Sequence, residues 1–300
     1  MLGLSIEMRD ILITGLTTLD LIFKMENFPN KNEKYRADTA MLSGGGNAGN
    51  ASVAVARLGA NSTIFSAVGK DDVGSLILAK LQRESVNTEF VLTIENWQSS
   101  FSSVFVDING ERQITNYRNS LPEGAAKSIL GFPVFDAYLS DSRWNEAAIA
   151  TLSLAKKFKK PGILDAEAPV LEQAVDLASH VAFSKQGLSH FTNNDDVTAS
   201  LKVIENDFNS WACVTDGSNG VYFLEEGTLC NLPAPEIKAK DTLGAGDVWH
   251  GAFAVCLAEG KSEIEAIKFS NLAAAIKCTK FGGQSSIPTR TEINEFINSK

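Results

Sequence analysis

A chain of 300 residues that is 44% hydrophobic and 21% charged has globular composition, enough for one large α/β domain or two small ones. Its net charge of −9, without a dense Lys/Arg block, argues against nucleic acid or an anionic membrane as the main partner, though a few local cations would suffice for an anionic substrate. No run approaches the roughly 20 apolar residues that span a bilayer, and the start MLGLSIEMRD lacks the basic and long apolar regions of a secretion signal, so a cytoplasmic protein is expected.

The first strand signal is DILITG, from Asp10. Ser43 to Gly59, SGGGNAGNASVAVARLG, places glycines before a helix whose Ala51, Val55 and Leu58 share a face and which Gly59 ends. STIFSAVG follows from Ser62, then helical period over Val73 to Leu81. FSSVFVD, from Phe101, enters a hairpin that turns at Asn109-Gly110. Further strands read as AYLSD, GILDAE, HVAFS, WACVTDG and GVYFLEE, from Ala137, Gly162, His180, Trp211 and Gly220. Helical period covers Asn145 to Phe158, Val170 to Leu177 and Glu263 to Lys277.

This alternation predicts an α/β fold: a mostly parallel central sheet flanked by helices on both faces, in a single domain over 1–300. Two polar, strand-like stretches, about 16–40 and 99–119, break the pattern. They are expected to form either a small β-sheet lid over the strand ends or two surface hairpins. Cys213, Cys230, Cys256 and Cys278 form no C-x-x-C pair and read as buried free thiols. His180, His190 and His250 lack zinc-type spacing.

Gly44, Gly46 and Gly49 match G-x-G-x-x-G, but a dinucleotide loop should leave a strand directly and meet an acid about 20 residues on. YRADTAMLS is a poor strand, and STIFSAVG ends without a carboxylate. A phosphate-binding Walker loop fails too, because Val255 stands five before Gly260-Lys261-Ser262. The glycines are better read as admitting a polar ligand to a helix N-terminus, with Asn47 and Asn50 offering amides to hydroxyl groups. A plain glycine turn is the alternative.

Near the other end stands KDTLGAGDVWHGAFA, Lys240 to Ala254. Gly244, Ala245 and Gly246 precede a helix whose apolar face includes Val248, Ala252 and Val255. Bare amides at that positive helix end suit a phosphate or a transferring phosphoryl group. Asp247 stands beside them. Like charge makes it a poor phosphate ligand but a good base for an attacking hydroxyl. A helix-capping Asp is the alternative.

GGGNAGNASVAVARLGA together with DTLGAGD resembles the signature pair of the ribokinase-like carbohydrate kinases, the PfkB family, over nearly the whole chain. Asp20 in ITGLTTLD, VGKDDVG, VTDGSNG and AAAIKCTKFGGQSSIP extend the likeness. The resemblance implies a catalytic base at Asp247 and an anion hole at Gly244 to Gly246. It implies sugar contacts at Asp20, Gly45, Gly46 and Asn50, and an ATP site at Thr215, Gly217, Gly220, Asn271 and the region Cys278 to Gly283. Mg²⁺ would come with ATP, held mostly through phosphates and water. Some relatives bind K⁺ near the segment equivalent to Asp241 to Leu243 and to Gly282. Ser184-Lys185-Gln186-Gly187 replaces the N-x-x-E of many members. No metal ligand is therefore carried over.

In detail the motifs are similar to those of ketohexokinase (GGNAGN, DTLGAGD) and sulfofructose kinase (NEKY, ERQITNY, SDSRWNEAA, GDVWHGA). In that reading Lys34, Asn116 and Arg143 receive an anionic or highly polar end of a ketose. Arg143 could instead pair with Asp141 or Glu146, and Lys34 could be solvated. Asp165 either faces the cleft or caps a loop. A nucleoside kinase, with Phe101 and Phe105 against the base, and a non-catalytic sugar sensor are the rivals. Lid edges that pair by strand addition would give a homodimer.

Overall fold

The computed structural model describes residues 8–298. Met1 to Glu7, where the reading against a secretion signal falls, lie outside them. In chain order the elements are β1 (Asp10–Thr14), β2 (Thr18–Lys24), β3 (Thr39–Gly45), α1 (Asn47–Arg57), β4 (Asn61–Phe65), β5 (Ala67–Gly69), α2 (Asp72–Arg83), β6 (Leu92–Ile94), β7 (Phe101–Val106) and β8 (Arg112–Tyr117). There follow β9 (Ala137–Asp141), α3 (Asn145–Phe158), β10 (Gly162–Ala166), α4 (Glu172–Leu177), β11 (His180–Ser184), α5 (Lys185–Thr192), α6 (Val197–Asp207), β12 (Trp211–Thr215), β13 (Val221–Glu225), β14 (Thr228–Leu232), α7 (Ala245–Ala258), α8 (Glu263–Cys278) and α9 (Arg290–Asn298).

Eight strands form the central sheet in the order β14-β13-β12-β11-β10-β9-β1-β4. It is parallel from β4 to β12, and the β13–β14 hairpin closes the far edge antiparallel. Both faces are covered, so β1 is an apolar run with every residue from Ile11 to Thr14 buried. Its alternation sorts the layers: Ile11 and Ile13 join the core under α1, α7 and α8, while Leu12 faces Phe65, Tyr138 and the α3 side.

The two polar stretches do form a separate sheet, in the order β3-β2-β7-β8. YRADTAMLS, unpromising as a strand, contains most of β3. The lid therefore runs past residue 40 to Gly45, and the glycine turn leaves a lid strand instead of a central one. STIFSAVG splits: β4 belongs to the central sheet and β5 pairs with β6 in a third, two-stranded sheet.

β1 runs to β4 on one side of the sheet, whereas β9 to β12 extend on the other. The order reverses between β1 and β9, and ligands of such sheets sit outside the strand carboxyl ends at that reversal. Here the ends carry Leu16, Asp141 and Glu167, beneath the lid. α7 is buried all round from Val248 to Leu257, more than the one apolar face its sequence implied. It crosses α1 so closely that a Cβ on Gly251 would lie 2.7 Å from the Ala51 carbonyl oxygen and 3.0 Å from Ala54 Cβ. Gly251→Val is expected to lower unfolding free energy by about 1–3 kcal/mol through overpacking, read as a lower urea midpoint with unchanged slope.

Candidate active site

Gly46 has φ of +81°, and a Cβ there would run into the Leu16 carbonyl, so glycine is required between β3 and α1. The amides of Leu16 and Ala48 donate to Asp141 Oδ2 at 2.8 and 3.2 Å, and that of Arg143 to Oδ1 at 2.9 Å. Asp141 thus ties the ends of β1 and β9 to the start of α1. Burial raises its carboxyl above the ordinary value, and these amides oppose the rise.

Gly244, with φ of +73°, turns the chain into α7. No side chain caps this helix. Asp247 instead accepts a 2.7 Å hydrogen bond from Asn50 Nδ2, joining the two glycine motifs across 197 positions. Asp247 is half-buried and lines the cavity beneath the lid. Burial, with Asp165 nearby, pushes it up to about 7, and the Asn50 bond opposes that. Of the three amides expected to meet a phosphoryl group, that of Ala245 is taken by the Thr242 carbonyl at 3.2 Å. Those of Gly244 and Gly246 form no hydrogen bond among the described residues.

Asp165 does not cap a loop. It is 4% exposed, accepts from Asn47 Nδ2 at 3.2 Å, and has Oδ2 3.5 Å from His250 Nδ1. Burial, with the charges of Glu167 and Asp141, raises it well above the usual carboxylate range. Burial lowers the pKa of His250, favouring the neutral ring.

A cavity of about 310 Å³ opens between this floor and the lid. Period two on the lid strands chooses its lining. Thr18 and Asp20 come from β2, Ser102 and Val104 from β7, and Arg112, Ile114 and Asn116 from β8, with Arg118 just beyond. Asp20 pairs with Ser102 and Ser102 with Asn116, so the three form one row across the sheet. Thr18 Oγ1 donates to Asp20 Oδ1 at 3.0 Å and Ser102 Oγ to Asn116 Oδ1 at 2.8 Å. Burial raises the pKa of Asp20. Gly46, Asn47, Asn50 and Asp247 complete the floor.

Three expected sugar contacts fall elsewhere. Lys34 is exposed in the β2–β3 connection and does not line the cavity. Arg143 does not line the cavity; it pairs with Glu167 and donates to the Ala168 carbonyl at 3.1 Å, and neither Asp141 nor Glu146 is its side-chain partner. Gly45 is buried against the Asp20 carboxylate and does not line the cavity. The cavity's guanidinium groups are Arg112 and Arg118, which motif matching passed over. Their signal was the alternation R-x-I-x-N-x-R from 112 to 118, every second residue facing one way.

A second cavity, about 590 Å³, lies on the other side of the α7 N-terminus. Thr215, Gly217, Gly220, Asn271 and Cys278 line it. Asn271 is fully engaged, accepting from Trp249 Nε1 at 2.8 Å and donating to the Leu232 carbonyl at 3.0 Å, so it is a fixed wall. Gly283 is not in this cavity, since its amide turns toward Asp241 Oδ2 at 3.4 Å. The two cavities share Thr242, Ala245 and Gly246.

Among the described residues no three His, Cys, Asp or Glu side chains converge as a metal site. Ser184, in place of the N-x-x-E asparagine, accepts from the Gly187 amide at 2.9 Å and starts α5. The segment considered for K⁺ does not fit that ion. The Asp241 carboxylate receives the amides of Leu243 (2.9 Å), Gly282 (3.2 Å) and Gly283 (3.4 Å), and the Lys277 ammonium stands 3.3 Å from Oδ2. These are donors, whereas K⁺ needs a cage of oxygens.

Comparison with known proteins agrees with this geometry. The model of the pfkB family carbohydrate kinases matches residues 8–290. A ribokinase from Bacillus subtilis is 26% identical, covering 97% of this chain and 100% of its own length. A fructokinase from Vibrio alginolyticus is 27% identical over 97% of this chain and 99% of its own. A crystal structure from Agrobacterium tumefaciens, provisionally assigned as a ribokinase, superposes with a TM-score of 0.91 at 32% identity, covering 97% and 98% of the two chains.

A proton acceptor at Asp247 would have to be ionised, so kcat/KM would then rise with pH through about 7, far above an ordinary carboxylate. Asn50→Ala removes a bond that favours the ionised form and should move that limb to higher pH. For stability the sign reverses. The folded state binds this proton more tightly than the unfolded chain, so stability is lost as pH rises from the unfolded value through about 7. Asp247→Asn is expected to raise the melting temperature more at pH 8 than at pH 5.

Proposed function

The chain belongs to the PfkB family of carbohydrate kinases, phosphotransferases with an alcohol acceptor, and from that premise we propose that it moves the γ-phosphoryl of ATP to a hydroxyl of a ketose-type sugar. The observation that carries this reading is the wall shared by the two cavities. Ala245 and Gly246 border both, while Asp247 lines only the cavity under the lid and Trp249 only the other. A phosphoryl group at the α7 N-terminus would have its donor on one side and an acceptor hydroxyl, with a base, on the other.

The sugar hydroxyls would meet Asp20, Asn47, Asn50 and Asn116. Asp247 would take the proton of the attacking hydroxyl, its carboxylate aimed by Asn50. The amides of Gly244 and Gly246 would receive the phosphoryl charge, joined by that of Ala245 if ligand releases it from Thr242. Mg²⁺, arriving with ATP and held by its phosphates and water, would neutralise the phosphate chain. The lid would exclude water from the transfer.

Among ketoses, one with an anionic end such as sulfofructose suits the cavity best. Arg112 and Arg118 face it from the lid edge, Arg118 within the field of Glu167, Asp141 and Asp20, and a planar fork of donors there would meet sulfonate or phosphate oxygens. The relatives named ribokinase and fructokinase keep ribose and fructose as the alternatives. For a nucleoside, Phe101 and Phe105 are badly oriented: they alternate with the cavity-facing Ser102 and Val104. Localisation in the cytoplasm fits a sugar kinase, and the lid edge strand β8, exposed at all six residues, suits pairing with a second copy.

ADP release would be measured with fructose, sulfofructose, ribose, ketodeoxygluconate and adenosine. The highest kcat/KM is expected with the anionic ketose. Arg118→Ala should raise KM for it by about 10–100-fold, a charge-assisted pair being worth 1.5–3 kcal/mol, and leave fructose unaffected. A preference for ribose would refute the ketose reading. Asp247→Asn is expected to lower kcat at least ~10²-fold with sugar and ATP binding retained. Near-normal turnover would remove the proposed base, and tight sugar binding without any turnover would favour a sensor.

A further inference from the structure

The amides proposed to receive the phosphoryl group stand on a loop, Lys240 to Gly244, that no strand or helix holds. Its grip is Asp241. The residue is 1% exposed and gathers the amides of Leu243, Gly282 and Gly283 on its carboxylate. The amides of Lys240 and Asp241 donate to the Cys278 carbonyl, at 2.8 and 3.2 Å. The loop is thus stitched to the end of α8.

One position earlier on α8 is Lys277, among the largest side chains with no exposure at all. Its ammonium donates to the Asp241 carbonyl at 3.0 Å and lies 3.3 Å from that residue's Oδ2. A buried lysine is costly unless paired, and replacing a whole buried ion pair by apolar residues is often neutral or stabilising, whereas removing one partner strands the other charge. Stability alone therefore explains this pair poorly. Electrostatically the ammonium does what a bound monovalent cation does: it draws a backbone carbonyl and a carboxylate toward one positive centre. It also occupies the oxygens a K⁺ ion would need.

We infer that Lys277 is a positioning residue that serves as a tethered monovalent cation, holding Asp241 so that the Gly244–Gly246 turn keeps its amides aimed at the phosphoryl site, and that turnover consequently needs no K⁺. The inference rests on the reading of that turn as the phosphoryl-binding site.

The test has two arms. The native protein is assayed with its best sugar, and its melting temperature recorded, with KCl exchanged for tetramethylammonium chloride at constant ionic strength. Neither kcat nor the melting temperature should change. Stimulation by K⁺ of an order of magnitude would overturn the inference, and this arm requires no variant. In the second arm Lys277→Met is expected to lose at least ~10-fold in kcat, the scale expected from a small misplacement of catalytic groups, with sugar KM little altered. K⁺ or NH₄⁺ should then restore part of the rate and raise the variant's melting temperature, as a ligand of the folded state does. A folded variant with undiminished kcat, or one whose loss no monovalent cation repairs, would reject the role. K⁺ stimulation in a protein that Asp247→Asn silences would defeat this inference alone, whereas turnover surviving Asp247→Asn would defeat the kinase mechanism.

Discussion

The close crossing of α1 and α7 governs this molecule. With only hydrogen at Gly251, α7 settles against the Ala51 carbonyl, and two helix N-termini arrive under the same lid. Each brings the positive end of a helix dipole, and α7 adds the amides of Gly244 and Gly246, which form no hydrogen bond among the described residues. The hydrogen bond from Asn50 to Asp247 is the visible consequence: residues from opposite ends of the chain meet at 2.7 Å because their helices pack. A bulkier residue at the crossing would separate the Gly46–Asn50 turn from Asp247 before it touched either.

Around that crossing, charge is divided by depth. The floor is acidic, with Asp141, Asp165 and Asp247 all raised by burial. Asp141 spends its oxygens on amides that join β1, β9 and α1, so its role is architectural. Asp165, faced by Asn47 and neutral His250, adds negative potential beside Asp247 and helps keep that group poised near neutrality. The cations reach the cavity from the lid, on β8 and just beyond, or stay engaged elsewhere, as Arg143 does with Glu167. Lid position therefore sets the net charge that the cavity presents.

Several parts of this arrangement were legible before any coordinates. Alternating strand and helix signals gave the layered α/β sheet because strands buried on both faces must be apolar runs. DTLGAGD announced its chemistry because small residues, a helix start and an acid are adjacent along the chain. Lid residues were harder. β3 is largely exposed until its last three residues, so it carries no apolar alternation, and β14 was likewise missed. Lys34 and Arg143 were chosen by local motif likeness, but side-chain direction in this lid follows strand register, which selected Arg112 and Arg118.

By itself, then, the amino-acid sequence determined what is local: the element types, the glycine turns, and which helix start bears the acid. Tertiary structure alone decided what depends on distance across the chain. It joined Asn50 to Asp247, set Ala245 and Gly246 between two cavities, turned Gly283 away from the larger of them, and buried the Lys277 ammonium on Asp241. The physical reason is that hydrophobic pattern and turn chemistry act over a few residues. A pocket is made where helix packing and sheet register bring separate segments together, and no short-range pattern encodes that meeting.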